Sequence, residues 1–283
     1  STVTGQLDLT TGGATVLNNL NAGANAVNIT VSGAITDGNA ATNNVTAGTL
    51  TIAGNQAVTG IETTVTTLDL ATAATSITEA DGVTLSDSEL SGQLDLSAGA
   101  TVLNNLNAGA NAVNITASGA ITDGNDDTAG NNITAGVLTI TGNQAVTGIE
   151  TAVTTLDLTS AATSITESDG VTLSDSAVTG QLDLATGGAT VIGALTATSQ
   201  TVNLSSTDLT LNTSITAHEV FVTESTGANI NLAHATGAGM TVDDGEIDKI
   251  TATNLEFDTT GTITIDSLEA ADTEKISGIL KLD

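Results

Sequence analysis

The residues with the most chemistry to offer are carboxylates on tight turns. Residues 123–127 read Asp-Gly-Asn-Asp-Asp. Three carboxylates and an Asn on one Gly-containing turn suit a hard cation, which wants several oxygens on a loop able to wrap. Asp123, Asp126 and Asp127 are the candidate ligands, and Asp37, in Asp37-Gly38-Asn39, heads a leaner version of the turn. Asp243 and Asp244, within Thr-Val-Asp-Asp-Gly-Glu at 241–246, make a third candidate. Calcium is the cofactor this pattern admits. The turns match neither the spaced carboxylates of an EF-hand nor a tandem glycine-rich nonapeptide array, so a solvated acidic turn is the competing reading of each.

Catalytic machinery is sparse, and the expectation is that the chain is not an enzyme. There are two His, His218 and His234, and no Cys or Arg. No GxSxG elbow, HExxH, Walker loop or Rossmann glycine fingerprint occurs. His218, Glu219 and His234 can be imagined around a metal, but the ordinary reading is solvated turn positions. The paired carboxylates Asp126-Asp127 and Asp243-Asp244 have no identifiable opposing carboxylate for glycosidase work. Polysaccharide-cutting solenoids need cations for acidic substrates and aromatics for sugar faces, and this chain has almost neither. Thr-x-Thr pairs (Thr49/Thr51, Thr139/Thr141, Thr262/Thr264) would match an ice lattice if they recurred on every coil. They do not, and Thr also suits any exposed strand face. Asn-x-Ser/Thr sequons such as Asn28-Ile29-Thr30 and Asn114-Ile115-Thr116 matter only in a glycosylating source.

The elements that must position these residues are legible from repetition. Residues 14–30 recur letter for letter at 100–116, and 54–63 recur at 142–151. The offset grows from 86 to 88 residues, and the small insertion shows where DGNAATNN at 37–44 becomes DGNDDTAGNN at 123–132. A third copy opens at 178 and diverges near Ile192. The expected organisation is one repeat over 1–89, a second over 90–177, a divergent continuation over 178–244 and a C-terminal cap or docking segment over 245–283. All three Lys residues, Lys249, Lys275 and Lys281, lie in that last segment. They either blunt the final edge or dock on the acidic body of a neighbouring molecule.

Inside each repeat, apolar-polar-apolar triplets return, often about 20 residues apart: Leu7-Asp8-Leu9, Val27-Asn28-Ile29, Leu50-Thr51-Ile52, Leu68-Asp69-Leu70. Period-two alternation marks half-buried strands, and the Gly, Asn, Asp and Ser between them mark turns. The spacing predicts an all-β chain folded as a right-handed parallel β-helix, a solenoid of tandem coils. The alternative is a string of β-sandwich domains.

Composition narrows the partners. Three basic and 32 acidic residues give 3 − 32 = −29, which disfavours nucleic acid and anionic membrane surfaces. No apolar run approaches the roughly 20 residues of a membrane helix, so no membrane insertion is expected. Cys, Pro, Trp and Tyr are absent and only Phe221 and Phe257 are aromatic, so the core must be thin and built from Val, Ile, Leu and Ala. The chain opens at Ser1 with no basic-then-apolar leader, as a processed protein or a piece of a longer one would.

In composition, and in stretches such as NVTAGTLTIAGNQAVTG at 44–60, the chain resembles secreted bacterial surface proteins: filamentous-haemagglutinin-like exoproteins and calcium-dependent surface-layer proteins. The resemblance implies an extracellular or cell-surface location and a structural or adhesive role. The expected function is an extracellular structural protein that assembles with copies of itself into a filament, surface layer or adhesin shaft, calcium-stabilised, with any host or cell-surface receptor unidentified. The alternatives are a trimeric viral host-attachment fibre, an ice-binding protein and a polysaccharide-active enzyme.

Overall fold

The triplets fold as the alternation requires. The computed structural model describes residues 1–39, 42–125, 130–233 and 237–283. Asp126, Asp127 and His234 lie outside the described residues. The protein is almost entirely β, with parallel stacked coils forming a β-solenoid. The strand pairings are parallel throughout, and none is antiparallel among the described residues. That excludes the sandwich alternative, whose hairpins would pair antiparallel. The chain forms two compact units, Ser1–Gln144 and Ala145–Asp283.

In the first unit, equivalent residues of successive coils stack in ladders. One runs Leu7, Val27, Leu50, Leu68, Leu85, Leu103. A second runs Thr15, Ile35, Val58, Thr75, Leu94, Val113, Leu138. A third runs Leu20, Val45, Thr63, Glu79. Each coil therefore buries a thin aliphatic slice against the slices above and below. Val27, Leu50, Leu68, Leu85 and Leu103 are all fully buried. Small branched side chains suffice because stacking makes the core continuous.

Coil length is set by corner loops. The first ladder steps by 20, 23, 18, 17 and 18 residues. The step of 23 carries the loop after strand Ile35–Asp37, and the corresponding step from Val113 to Leu138, 25 residues, carries the loop after Ile121–Asp123. The difference of two is the insertion visible in the sequence. Gly54 shows how tight a corner is: its φ is +129°, and a Cβ there would sit 1.8 Å from the Val31 carbonyl oxygen. Gly142 repeats the arrangement against Ala117.

The long repeat and the coil do not share a period. Residues 14–30 and 100–116 are identical, yet Val27 belongs to the first ladder and its counterpart Val113 to the second. Two features of the block between them move the corners. Strand Thr75–Glu79 runs straight from the second ladder to the third, where the preceding coil needs a bulge between Val58 and Ile61. The first side is then broken at Asp87, whose φ is +41°.

In the second unit one ladder runs Val146, Thr163, Leu182, Val202, Val220, Leu255, Leu280. The step of 35 residues from Val220 to Leu255 holds an excursion. Strands Ile230–Leu232 and Met240–Val242 pair with each other, and Ile230–Leu232 also pairs with Ile263–Ile265, as a separate three-stranded sheet. The helix Asp244–Ile247 follows. Phe257 is fully buried on this stack, while Phe221 faces outward and is half-buried.

Candidate functional site

The turn at Asp37 is built inward from a buried amide. Asn44 is fully buried. Its Nδ2 donates towards the Leu17 carbonyl at 2.8 Å and towards Asp37 Oδ1 and Asn39 Oδ1, each at 2.7 Å. Its Oδ1 accepts the Glu62 N–H at 2.7 Å, which fixes the amide's orientation. Asp37 Oδ1 also accepts the Asn39 N–H at 2.6 Å. That backbone bond first, and the Asn44 amide second, hold the Asp37 carboxyl below its ordinary value.

The second repeat reproduces the arrangement. Asn132, also fully buried, reaches the Leu103 carbonyl at 2.7 Å, Asp123 Oδ1 at 2.7 Å and Asn125 Oδ1 at 2.6 Å. At both turns three oxygens converge on one nitrogen that carries two protons. One oxygen each of Asp37 and Asp123, two of the residues suggested for a cation, is thus engaged by an amide of the same chain. The Leu17 and Leu103 carbonyls also accept the Gly38 and Gly124 N–H at 2.8 and 2.9 Å, so the amide ties each loop to a carbonyl that already carries a backbone bond.

Asp243 is the N-cap of the helix Asp244–Ile247. Its Oδ1 accepts the Glu246 N–H at 2.8 Å, and Glu246 Oε2 accepts the Asp243 N–H at 3.0 Å, a complete capping box. Glu246 uses its other oxygen to accept the Leu211 N–H at 2.9 Å, and Lys249 Nζ donates to the Leu211 carbonyl at 2.5 Å. The helix therefore seals the edge of strand Asp208–Glu224 with side chains where a further rung would otherwise bond. Asp244 has its carboxyl pushed up by burial first, then by the charges of Asp272, Asp243, Glu269 and Asp248. Among the described residues no group of three or more His, Asp or Glu converges as metal ligands would.

Three buried glutamates were not singled out from the sequence. Glu79 accepts the Thr63 hydroxyl at 2.7 Å, the Val65 N–H at 3.1 Å and the Asp81 N–H at 3.2 Å. Glu167 does the same with Thr151 at 2.7 Å, Val153 at 3.0 Å and Asp169 at 3.2 Å. Both are almost wholly buried. Burial pushes both carboxyls above the ordinary value and outweighs the three donors. Glu224, equally buried, takes Thr226 N–H and Oγ1–H at 3.0 and 2.7 Å. The signal was present: Ile77 and Glu79 are two apart on one strand, so both face inward.

On the outer face, three equivalent rungs carry a Gln-Asp-Asn group. Asp8 Oδ1 accepts from Gln6 Nε2 at 2.9 Å and from Asn28 Nδ2, one coil on, at 2.6 Å. Gln93, Asp95 and Asn114 repeat it at 2.8 and 2.7 Å, and Gln181, Asp183 and Asn203 at 2.8 and 2.5 Å. The sequon residues Asn28 and Asn114 are thus engaged in coil-to-coil bonds. Asn28 first, and Gln6 second, lower the Asp8 carboxyl.

Among the described residues the remaining candidates form no reactive cluster. His218 Nδ1 lies 3.1 Å from the Thr253 hydroxyl on an exposed surface. Thr49, Thr67 and Thr84 stack, but Val102 follows them, and Thr51 stacks on Asp69. A shallow groove of roughly 590 Å³ in the first unit is lined by Gly23, Thr46, Gly48, Thr67 and Gly82, with Asp81 as its titratable group. All three ammonium groups are held within the chain: Lys249 by Leu211, Lys275 by the Asp248 carbonyl, Lys281 by Glu256 and Asp283. No helix is long and apolar enough to cross a membrane. No family model matches the chain, and comparison with curated proteins and with solved structures finds no match.

Proposed function

We propose that the chain is a structural protein that works outside the cell by assembling with copies of itself into a filament, a surface layer or an adhesin shaft. The observation that carries this reading is where its polar groups are spent. Asp37, Asp123, Glu79, Glu167, Glu224 and Asp243 hold backbone groups of loops, coils or a helix end. Side chains set that way give rigidity, and leave little of the positioned acid, base or nucleophile that catalysis needs. Each coil closes its own aliphatic core within one chain, so a three-chain winding is not required to bury it. The extracellular location rests on the likeness in composition and repeats to secreted surface proteins. Calcium enters as a counter-ion: a charge of −29 opposes close approach of copies until cations screen it. Sedimentation velocity over a concentration series tests the reading. Growth of the mean mass with concentration, steeper with calcium than with chelator, is expected; one monomer boundary throughout would overturn it.

A further inference from the structure

One aromatic ring stands on the outer face of the second unit, where core packing does not call for it. Phe221 alternates with Val220 and Val222, which are fully buried, so its ring points outward and is half-buried. Asn203 and Glu256 lie in register with it on the rungs before and after. Glu219 and Thr223 flank it on its own strand, Asp208–Glu224. The diagonal positions, such as Ser205 and Asn254, are polar as well. An outward aromatic on a sheet is ordinarily stabilised by an aromatic or β-branched partner directly across, and Phe221 has Asn and Glu there.

The rung before Phe221 makes its position specific. Three Gln-Asp-Asn groups recur on the outer face. The residue stacked after Asn28 is Thr51, and after Asn114 it is Thr139, but after Asn203 it is Phe221. Thr is what an exposed strand position favours; the third copy sets a ring in its place. Beside that ring the surface dips. A depression of about 170 Å³ is lined by Asp183, Asn203, Ser205, Thr166 and Thr223, where Ala185 presents only a methyl group. The polar groups around it are fixed by one another. Asp183 accepts from Gln181 Nε2 at 2.8 Å and from Asn203 Nδ2 at 2.5 Å. Glu219 accepts from the Thr201 hydroxyl at 3.3 Å and from Asn254 Nδ2 at 3.1 Å. Neither Asn203 Oδ1 nor Gln181 Oε1 accepts a hydrogen bond from the described residues.

A ring bordered by fixed carboxylates, amides and hydroxyls matches the chemistry of a sugar. The C–H face of a sugar is apolar and meets the electron-rich face of an aromatic ring. Its hydroxyls both donate and accept, as carboxylate and amide oxygens and a Ser hydroxyl require. A few convergent polar groups beside an apolar surface are also how small-molecule sites are built. Asp183 and Phe221 are two rungs apart, about 9.6 Å at the usual strand spacing, so a saccharide of two rings reaches both. Asp183, Glu219 and Glu256 outnumber Lys281, the cation paired with Glu256, and their charge opposes an acidic sugar. We propose that this face binds a neutral saccharide, one sugar ring stacked on Phe221 and the hydroxyls of its neighbour bonded to Asp183, Asn203 and Ser205. The site goes beyond the self-assembly reading and does not rest on it.

An array of immobilised neutral and acidic oligosaccharides, probed with the full chain and followed by titration calorimetry with the best binder, tests it. One or more neutral oligosaccharides should bind, and their sialylated or sulfated forms should bind more weakly. Phe221→Ala should weaken binding by on the order of tenfold, whereas Phe221→Tyr, which keeps the ring, should bind as the wild type does. Ala185→Leu fills the depression and leaves Phe221 in place; it should weaken binding too, and it decides the matter if Phe221→Ala does not fold. No neutral oligosaccharide bound, a preference for acidic ones, or undiminished binding by either folded variant would overturn the site and leave self-assembly standing.

Discussion

The buried glutamates give the molecule an unusual pH response. Glu79 and Glu167 have raised carboxyls in the folded state, so the native protein binds more protons than the unfolded chain, and stability falls as pH rises through their titration. That contribution is fully present below the ordinary glutamate value of 4.5 and lost above the raised folded value. Asp8 and Asp37 are lowered; their contribution is present above the ordinary aspartate value of 3.8 and lost as pH falls through their folded values. The two signs together predict a melting temperature that rises as pH is lowered through the raised glutamate titration and drops again under strong acid. Replacing both glutamates, Glu79→Gln with Glu167→Gln, should flatten the slope on the side above the ordinary glutamate value; an unchanged slope would remove them as its source. Asn44→Ala should cost about 1–3 kcal/mol, because the Glu62 N–H loses its acceptor and Asp37 Oδ1 and Asn39 Oδ1 lose a donor; denaturant unfolding measures it. Of these residues, the sequence displayed Asp37 and Asp123 and their Gly-containing turns. It concealed that Asn44 and Asn132 bond to Asp37 and Asp123, since that pairing spans a loop whose path no local pattern states.

At the scale of elements, triplets and corner loops divide the work. A triplet supplies two inward aliphatic side chains per rung, and its neighbours above and below complete the burial. Leu50→Ala, in the middle of the first ladder, should cost about 2–5 kcal/mol. The corners are stiffer than composition suggests. Gly54→Ala meets both a positive φ and the Val31 carbonyl, so it should destabilise more than a typical exposed glycine replacement, by over about 1 kcal/mol, while Gly5→Ala, with open space around it, should be nearly neutral. Thermal melts of the pair check this. Strands and their spacing were legible in advance, because alternation and turn residues are local signals. The helix Asp244–Ile247 was not, being four residues long and held by the capping box and its bonds to Leu211 rather than by periodicity.

For the whole molecule, the mismatch between repeat and coil has a consequence for display. Identical sequence in successive repeats is set on different sides of the coil in the first unit: the Gln6–Asp8–Asn28 rung lies on one ladder and Gln93–Asp95–Asn114 on another. A duplicated stretch was obvious in the letters. That it advances by a non-whole number of coils was not, because the shift depends on one bulge lost near Ile61 and one corner gained at Asp87. The acidic surface acts on this scale too. With −29 net charge and three cations already engaged, repulsion is spread over the surface and screenable. Raising salt from low concentration to about 0.15 M, where charges more than roughly 8 Å apart are screened, should therefore raise the melting temperature.

Self-assembly is the central claim, and electron microscopy of the purified chain at high concentration, in millimolar calcium and again after chelation, tests it most directly. Ordered filaments or sheets in calcium are the predicted result, and their dispersal on chelation would mark the cation as the screen that permits contact. Isolated single molecules under both conditions would contradict the account.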